Sequence, residues 1–189
     1  MAKHVGLDLG FGNTKVFDWR GGTVFSSHLA MPSASYASDD DEKDKATSDI
    51  FFNGVRYAVG EAAFAKGQEI SGLGVQRLLG SMQSKAIMYA ALGDHMRTHG
   101  KYRDAISVNV GLPAQLLESG VKDNTVESVG GWLVGDHEWQ QDGVKMSVSI
   151  ASVKVLSQAA GAMYDMLYNA DGSQGKDAHY AKGNVGVVS

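Results

Sequence analysis

The chain has 189 residues, of which 43% are hydrophobic and 20% are charged, values typical of a folded domain rather than a disordered chain. Its 17 basic and 21 acidic side chains give a formal net charge of −4, so no broad positive field favours sequence-independent binding to nucleic acid or to an anionic membrane. The absence of cysteine excludes a disulfide framework, a zinc ribbon and a thiol nucleophile. The N-terminal apolar stretch is interrupted at Asp8, too early for a signal peptide or a membrane span, and we expect a cytoplasmic protein.

Strand signals dominate the first third of the chain. Three apolar and β-branched runs separated by glycine turns predict a β-meander: Val5–Leu9, Asn13–Trp19 and Thr23–Met31. The polar stretch 33–49 contains an acidic cluster at 39–42 and is interpreted as a solvated loop. Asn53 and Gly54 lie between two short apolar runs, and this dipeptide is the strongest short-range signal of a two-residue hairpin loop.

The middle of the chain predicts a long helix and a buried strand. Apolar residues recur at helical spacing across Met82–Arg97, and shorter helical patterns occupy 61–66 and 75–79. Ile106–Leu112 is a nearly continuous β-branched run that stops at Pro113, a pattern typical of a buried central strand whose end faces a ligand.

Towards the C-terminus we expect a second hairpin, a helix and a last strand. The segments are Trp132–Trp139 with Val144–Val155 for the hairpin, Ala159–Tyr168 for the helix and Asn184–Ser189 for the strand. Because a chain rarely ends inside a buried strand, this ending indicates a piece of a longer protein.

The segment Asp8–Lys15 combines a carboxylate, a glycine turn and an ammonium group. Gly10 and Gly12 permit close backbone approach, successive N–H groups of the turn can form an anion-binding nest, and Lys15 can neutralise phosphate charge. Magnesium keeps several of its waters and needs few carboxylates, so Asp8 is sufficient beside phosphates. An ordinary glycine hairpin explains the same residues equally well. The segment lacks the Gly-Lys-Ser/Thr ending of a P-loop and the following helix of a dinucleotide fingerprint.

The histidines and tryptophans carry no comparable pattern. His95 and His99 are four residues apart on the predicted helix, but no third ligand accompanies them and we expect both to be exposed to solvent. Trp132 and Trp139 bracket the second hairpin and are interpreted as packing residues, because a site for single-stranded nucleic acid would need basic residues interleaved with them.

Four segments follow one another in an order that matches one superfamily. Val5–Val16 resembles its first phosphate motif, Phe52–Ala62 a small-subdomain hairpin, Val108–Pro113 a strand ending in Gly-Leu-Pro, and Val153–Ala162 the strand-to-helix junction that holds a water-positioning residue. Together they span nearly the whole chain, which thereby resembles the N-terminal half of a prokaryotic actin-like ATPase, within the superfamily of actin, sugar kinases and heat-shock chaperones.

This resemblance implies roles for individual residues. Asp8 is expected to face magnesium through water, and Gln158 to orient the water that attacks the terminal phosphate of ATP or GTP. The residues implied for binding the β- and γ-phosphates are Gly10, Phe11, Gly12, Asn13, Thr14 and Lys15. Gln158 has a simpler interpretation as a cap or turn residue before the predicted helix.

The fold implied by the resemblance is α/β, of the ribonuclease-H-like, actin-like type. We expect a five-stranded mixed sheet, built from the meander, the Ile106 strand and the terminal strand, with flanking helices. Within a single actin-like domain over 1–189, a small α+β subdomain is expected at 46–80 and a larger subdomain at 1–45 and 81–189. The C-terminal nucleotide-binding half lies outside this sequence.

The function implied by the resemblance is magnesium-dependent binding and hydrolysis of ATP, with filament formation through self-association. A DNA-binding adaptor is expected to link such filaments to plasmid segregation, without direct binding of nucleic acid or membrane by the chain. Two alternatives stay open: a sugar or acid kinase, which needs a carboxylate base, and a non-hydrolysing scaffold or cell-division protein. Ser189 stands where the family has the aspartate of a second phosphate motif, so either that motif is altered or the register is shifted by one. We expect weak or undetectable ATP turnover by the chain alone.

Overall fold

A computed structural model describes residues 3–32, 47–70, 80–118 and 122–158, together with residues 167 and 173. The predicted helices at 75–79 and 159–168 and the predicted last strand lie outside these ranges, apart from position 167. The strands are β1 (Lys3–Leu9), β2 (Asn13–Asp18), β3 (Gly21–Ser26), β4 (Leu29–Pro32), β5 (Thr47–Phe52), β6 (Val55–Gly60), β7 (Gly67–Glu69), β8 (Ile106–Leu112), β9 (Gly135–Gln141) and β10 (Val144–Ser157). The helices are α1 (Ala63–Lys66), α2 (Met82–His99), α3 (Lys122–Leu133) and a short 3-10 helix (Ala114–Leu117).

The described strands form one sheet in the order β3-β2-β1-β8-β10-β9-β5-β6-β4-β7. The α/β class with a mixed sheet is confirmed, but the expected count of five strands is wrong, because ten are joined. The long strand β10 makes the connection. Its first half pairs with β9 in antiparallel orientation, and after an irregularity between Ile150 and Ser152 its second half pairs with β8 in parallel orientation.

The core follows from the two-residue period of the central strands. Alternate residues of β1, β2 and β8 are buried on one face, and they are Val5, Leu7, Leu9, Thr14, Val16, Asp18, Ile106, Val108, Val110 and Leu112. Helix α2 packs on this arrangement through contacts with β2, β3, β5, β6 and β9. Its first turn is capped by Ser81, whose Oγ accepts a hydrogen bond from the Ser84 amide at 3.1 Å. The residues between the buried positions, including Asp8 and Lys15, belong to the opposite face.

Several predicted elements are confirmed, with changes at their ends. Asn53 and Gly54 both have positive φ, of 48° and 76°, and close the β5–β6 hairpin as a two-residue turn. The predicted third run of the meander is divided into β3 and β4, since β4 leaves the meander to pair with β6 and β7. Trp132 belongs to α3 rather than to the second hairpin, although Trp132 and Trp139 are both buried as packing residues.

A buried polar cluster joins the β2–β3 turn to the end of α2, and it corrects the expectation for His95. The His95 side chain is fully buried, with Nδ1 2.9 Å from Thr23 Oγ1. Its Nε2 lies 3.1 Å from Asp18 Oδ2, an oxygen that also accepts hydrogen bonds from Arg20 and Tyr102. The burial of His95 is therefore accompanied by a contact with Asp18, a residue distant in sequence. The helical spacing of His95 and His99 could not predict this contact.

Burial and hydrogen bonding compete at this cluster. Burial alone would raise the pKa of Asp18, but the hydrogen bonds from Arg20, with smaller contributions from His95 and Tyr102, outweigh it and hold that pKa well below its usual range. Burial lowers the pKa of His95, against the opposing attraction of Asp18.

Among the described residues, no helix is long and apolar enough to cross a membrane.

Candidate phosphate-binding site

Three parallel strands end side by side at one edge of the sheet. Strands β1, β8 and β10 run in the same direction, so their carboxyl ends meet, and in open α/β sheets ligands bind at such an edge. The register places Asp8 opposite Lys15 on one side and opposite Gly111 on the other. Gly111 in turn lies opposite Leu156, two residues before Gln158. Lys15, Asp8, Gly111 and Leu156 thus lie side by side across the sheet. Together with Gln158 we call them the Asp8 row.

Asp8 is the centre of this row. Gln158 Nε2 donates a hydrogen bond to Asp8 Oδ1 at 2.6 Å, and Lys15 Nζ lies 3.7 Å from Asp8 Oδ2. The Lys15 side chain is 60% exposed and that of Asp8 is 35% exposed. A carboxylate, an ammonium group and an amide therefore converge where solvent and a ligand can reach them.

Two glycines give the site its shape. A Cβ on Gly10 would overlap the carbonyl oxygen of Asn13, so the turn after β1 can close only with glycine at this position. A Cβ on Gly111 would lie 3.3 Å from Cγ of Gln158 and 3.8 Å from Asp8 Oδ1. The bare backbone of Gly111 therefore leaves room for the Gln158–Asp8 contact. The place of Gly111 in the row depends on strand register rather than on a local motif.

The predicted phosphate-binding residues do not share one environment. Phe11 is 47% exposed, and Gly12 and Asn13 are also exposed. Thr14 is fully buried, and its hydroxyl is 3.0 Å from the hydroxyl of Ser27 on the core side of the sheet. The Thr14 side chain thus stabilises the meander and does not reach the exposed face, where Lys15 lies.

Asp8 suits a magnesium ion that is bound together with a phosphate ligand. It does not suit a metal site built from several protein side chains. Asp8 offers an accessible carboxylate, and within the described ranges no group of three or more His, Cys, Asp or Glu side chains converges on a metal site. Magnesium bound through one carboxylate, its own waters and the oxygens of a phosphate ligand requires no such group.

A groove of about 420 Å³ lies elsewhere, at the other end of β10. It is lined by Phe51, Phe52, Glu138, Trp139, Gln140, Lys145, Met146 and Ser147. Its residues belong to β5, β9 and the first part of β10, and none is part of the Asp8 row. The candidate site lies instead at the carboxyl ends of β1, β8 and β10, where Asp8 and Lys15 are partly exposed.

The model of the family described as the N-terminal domain of actin-like proteins matches residues 6–161. The match spans most of the chain, and the chain belongs to this family. A comparison with curated protein sequences finds no significant match.

Solved structures of actin-like proteins have the same fold. Apo ParM of pSK41 is 17% identical with a TM-score of 0.68, and the alignment covers 93% of this chain and 55% of that one. The AlfA filament bound to AMPPNP is 16% identical with a TM-score of 0.61, covering 89% and 59%. Ta0583, an archaeal actin homologue in complex with ADP, is 20% identical with a TM-score of 0.59, covering 87% and 46%. The actin-like fold is confirmed, and the chain spans about half the length of these proteins.

Proposed function

We propose that the chain is the N-terminal half of an actin-like ATPase and binds the phosphates of ATP, or GTP, together with magnesium at the Asp8 row. The observation that carries the proposal is the convergence of Asp8, Lys15 and Gln158 beside the Gly10 turn, at the carboxyl ends of three parallel strands. The structural neighbours bound to AMPPNP and to ADP support a nucleotide as the ligand.

The charge arrangement suits a triphosphate. Lys15 provides an exposed ammonium group, and the backbone N–H groups of an exposed glycine turn can donate to phosphate oxygens. Asp8 would hold magnesium through water, and the ion when bound would neutralise charge on the phosphate oxygens. The carboxylate and the ammonium group already lie close together, so the phosphates and the metal would be held in one compact site.

Gln158 is proposed to position water. Its Nε2 donates to Asp8, which fixes the amide plane and leaves Oε1 as the atom that can accept a hydrogen bond from a water molecule. Phosphoryl transfer to water depends mainly on positioning and charge stabilisation, which a neutral amide can provide. A sugar or acid kinase would instead need a carboxylate at this position to accept the proton of a substrate hydroxyl.

Titration of the chain with ATP, with and without magnesium, tests the phosphate site. Lys15→Ala is expected to weaken binding about tenfold or more, because it removes a charge-assisted contact worth roughly 1.5–3 kcal/mol. Asp8→Asn is expected to remove the benefit of magnesium while leaving some metal-free binding. The matched controls are Lys145→Ala and Asp104→Asn, exposed charges outside the site, and both should bind ATP as the unaltered chain does. Equal ATP affinity in Lys15→Ala and Lys145→Ala would contradict the proposal.

For the longer protein we propose filaments that move plasmid DNA through an adaptor in the cytoplasm. Sedimentation with ATP and magnesium, but not without them, is the expected behaviour, and Gln158→Ala should form filaments that hydrolyse ATP far more slowly. Failure to sediment combined with sugar-dependent release of ADP would replace the proposal with the kinase alternative. Filaments with no hydrolysis in either form would favour the scaffold alternative.

A further inference from the structure

A cationic and aromatic surface lies at the end of the sheet opposite to the phosphate site. It is formed by the start of β1, the β2–β3 turn and the loop before β8. We define it as the Trp19 surface, with the residues Lys3, Trp19, Arg20, Lys101, Tyr102 and Arg103. The proposed function uses none of these side chains.

Trp19 is held out from the fold rather than buried in it. Its side chain is 57% exposed, whereas Trp132 and Trp139 are 9% and 3% exposed. The Arg20 guanidinium lies 4.9 Å from the Trp19 ring centroid, and Lys3 Nζ lies 5.3 Å from it. These cations stack against an indole whose remaining surface is available to a partner.

Arg20 fixes this platform. It donates hydrogen bonds to Asp18 from Nε at 2.9 Å and from Nη2 at 2.6 Å, and it donates to the carbonyl oxygens of His99 and Gly100 at the end of α2. Its guanidinium also lies 4.4 Å from the Tyr102 ring centroid. A rigid arginine therefore orders the aromatic surface before any partner arrives, which lowers the entropic cost of binding.

The surface is positive although the chain as a whole is negative. It has four cations, Lys3, Arg20, Lys101 and Arg103, against two carboxylates, the buried Asp18 and the exposed Asp104. Asp18 forms an ion pair with Arg20, and Asp104 Oδ2 lies 3.6 Å from Lys3 Nζ. Lys101 and Arg103 are exposed, and in the described part of the chain no ion pair involves them. Their charge remains available to an external anion.

We infer that the Trp19 surface is a docking site for an acidic segment of a partner protein, one that places an apolar side chain on Trp19 and carboxylates near Lys101 and Arg103, the exposed residues that flank Tyr102 in the chain. Exposed tryptophan and arginine are the residue types enriched at interface hot spots. Nucleic acid fits less well, because the surface has one largely exposed stacking platform, Trp19, and few cations to neutralise successive phosphates. The inference is independent of nucleotide binding, which uses the opposite end of the strands.

Fluorescence anisotropy tests the inference with a labelled synthetic peptide rich in glutamate that contains two leucines. The unaltered chain is expected to bind this peptide, and to bind it more weakly as salt is added. Trp19→Ala and the double variant Lys101→Glu/Arg103→Glu are each expected to weaken binding about tenfold or more. All three side chains are exposed, so these variants should keep the thermal stability of the unaltered chain.

The chain offers matched controls for both changes. Phe51→Ala removes another partly exposed aromatic side chain, and Lys145→Glu reverses one charge on a distant strand. Both should bind the peptide normally, and ATP binding should be unchanged in every variant. Equal peptide affinity in Trp19→Ala and Phe51→Ala would overturn the inference. So would tighter binding of an oligothymidylate of matched charge, or a Trp19-dependent dimer that excludes the peptide.

Discussion

At the scale of single residues, the two glycines on either side of Phe11 differ in the space around them. A Cβ on Gly10 would overlap the Asn13 carbonyl oxygen, whereas a Cβ on Gly12 would meet no atom within 4 Å. Gly12 also lacks the positive φ that would strain another residue. Sequence spacing treats the two glycines alike, but only Gly10 is required by the geometry of the turn.

We therefore predict that Gly10→Ala lowers the free energy of unfolding by roughly 1–3 kcal/mol, because the turn backbone must shift. Gly12→Ala should change the free energy of unfolding by no more than about 1 kcal/mol. A small increase also agrees with this prediction, because alanine restricts the unfolded chain more than glycine does. Urea denaturation followed by circular dichroism measures both. Equal destabilisation by the two substitutions would show that the Gly10 contact does not constrain the turn.

The buried His95 makes the stability of the fold depend on pH. Its pKa is lowered in the folded protein by burial, so the unfolded chain takes up a proton near pH 6.5 that the folded protein resists. Stability is therefore lost as pH falls through this region. Asp18, whose pKa is depressed, contributes stability that is lost only at lower pH, below about 4.

Thermal melts between pH 8 and pH 5 separate these two groups. The Tm of the unaltered chain should fall over this interval, and His95→Gln, whatever its Tm at pH 8, should show a smaller fall. An unchanged slope in His95→Gln would mean that His95 is not the group responsible.

At the scale of elements, α2 and β9 fit together around a glycine. Gln141 is fully buried, and its Nε2 donates to Ser48 Oγ at 2.9 Å and to the Ala90 carbonyl at 3.2 Å. Its side-chain oxygen accepts from Trp139 Nε1 at 3.3 Å, and a Cβ on Gly93 would overlap this oxygen. A polar side chain thus crosses the core with its hydrogen bonds satisfied, and Gly93 makes the space for it.

Gly93→Ala should consequently destabilise the protein by roughly 1–3 kcal/mol, although alanine favours helix by about 1 kcal/mol. Combining it with Gln141→Ala should cost less than the sum of the two single changes, because the shorter side chain removes the clash. On α3, Gly130→Ala is the control, since its Cβ would meet nothing within 4 Å, and it should be neutral or stabilising. Strictly additive effects of Gly93→Ala and Gln141→Ala would contradict this account.

Turn residues and hydrophobic periodicity predicted some of the helices and strands correctly and missed others. The Asn53-Gly54 hairpin, α2 and the β8 strand follow from turn chemistry and periodicity. Helix α3 was missed, since Gly130 and Gly131 weaken its helix propensity. The spacing of its buried residues, which are Thr125, Val129, Trp132 and Leu133, is a helical stripe that could have indicated it.

At the scale of the whole molecule, the sheet unites residues that no local pattern connects. Asp8 and Gln158 are 150 positions apart, and only the parallel pairing of β1, β8 and β10 brings their side chains together. The sequence pointed to Asp8 and Lys15 by their spacing, but to Gln158 only by family resemblance. The division into subdomains at 46–80 and the phosphate-binding roles stay predictions.

The phosphorus NMR spectrum of ATP with magnesium, recorded while the chain is added, tests whether the phosphates bind at the Asp8 row. If the phosphates bind at the Asp8 row, the β- and γ-phosphorus resonances should shift or broaden more than the α resonance. Lys15→Ala should abolish this difference and Lys145→Ala should preserve it. Resonances that stay unchanged, or that change equally with Lys15→Ala and with the unaltered chain, would contradict the assignment of this site to phosphate.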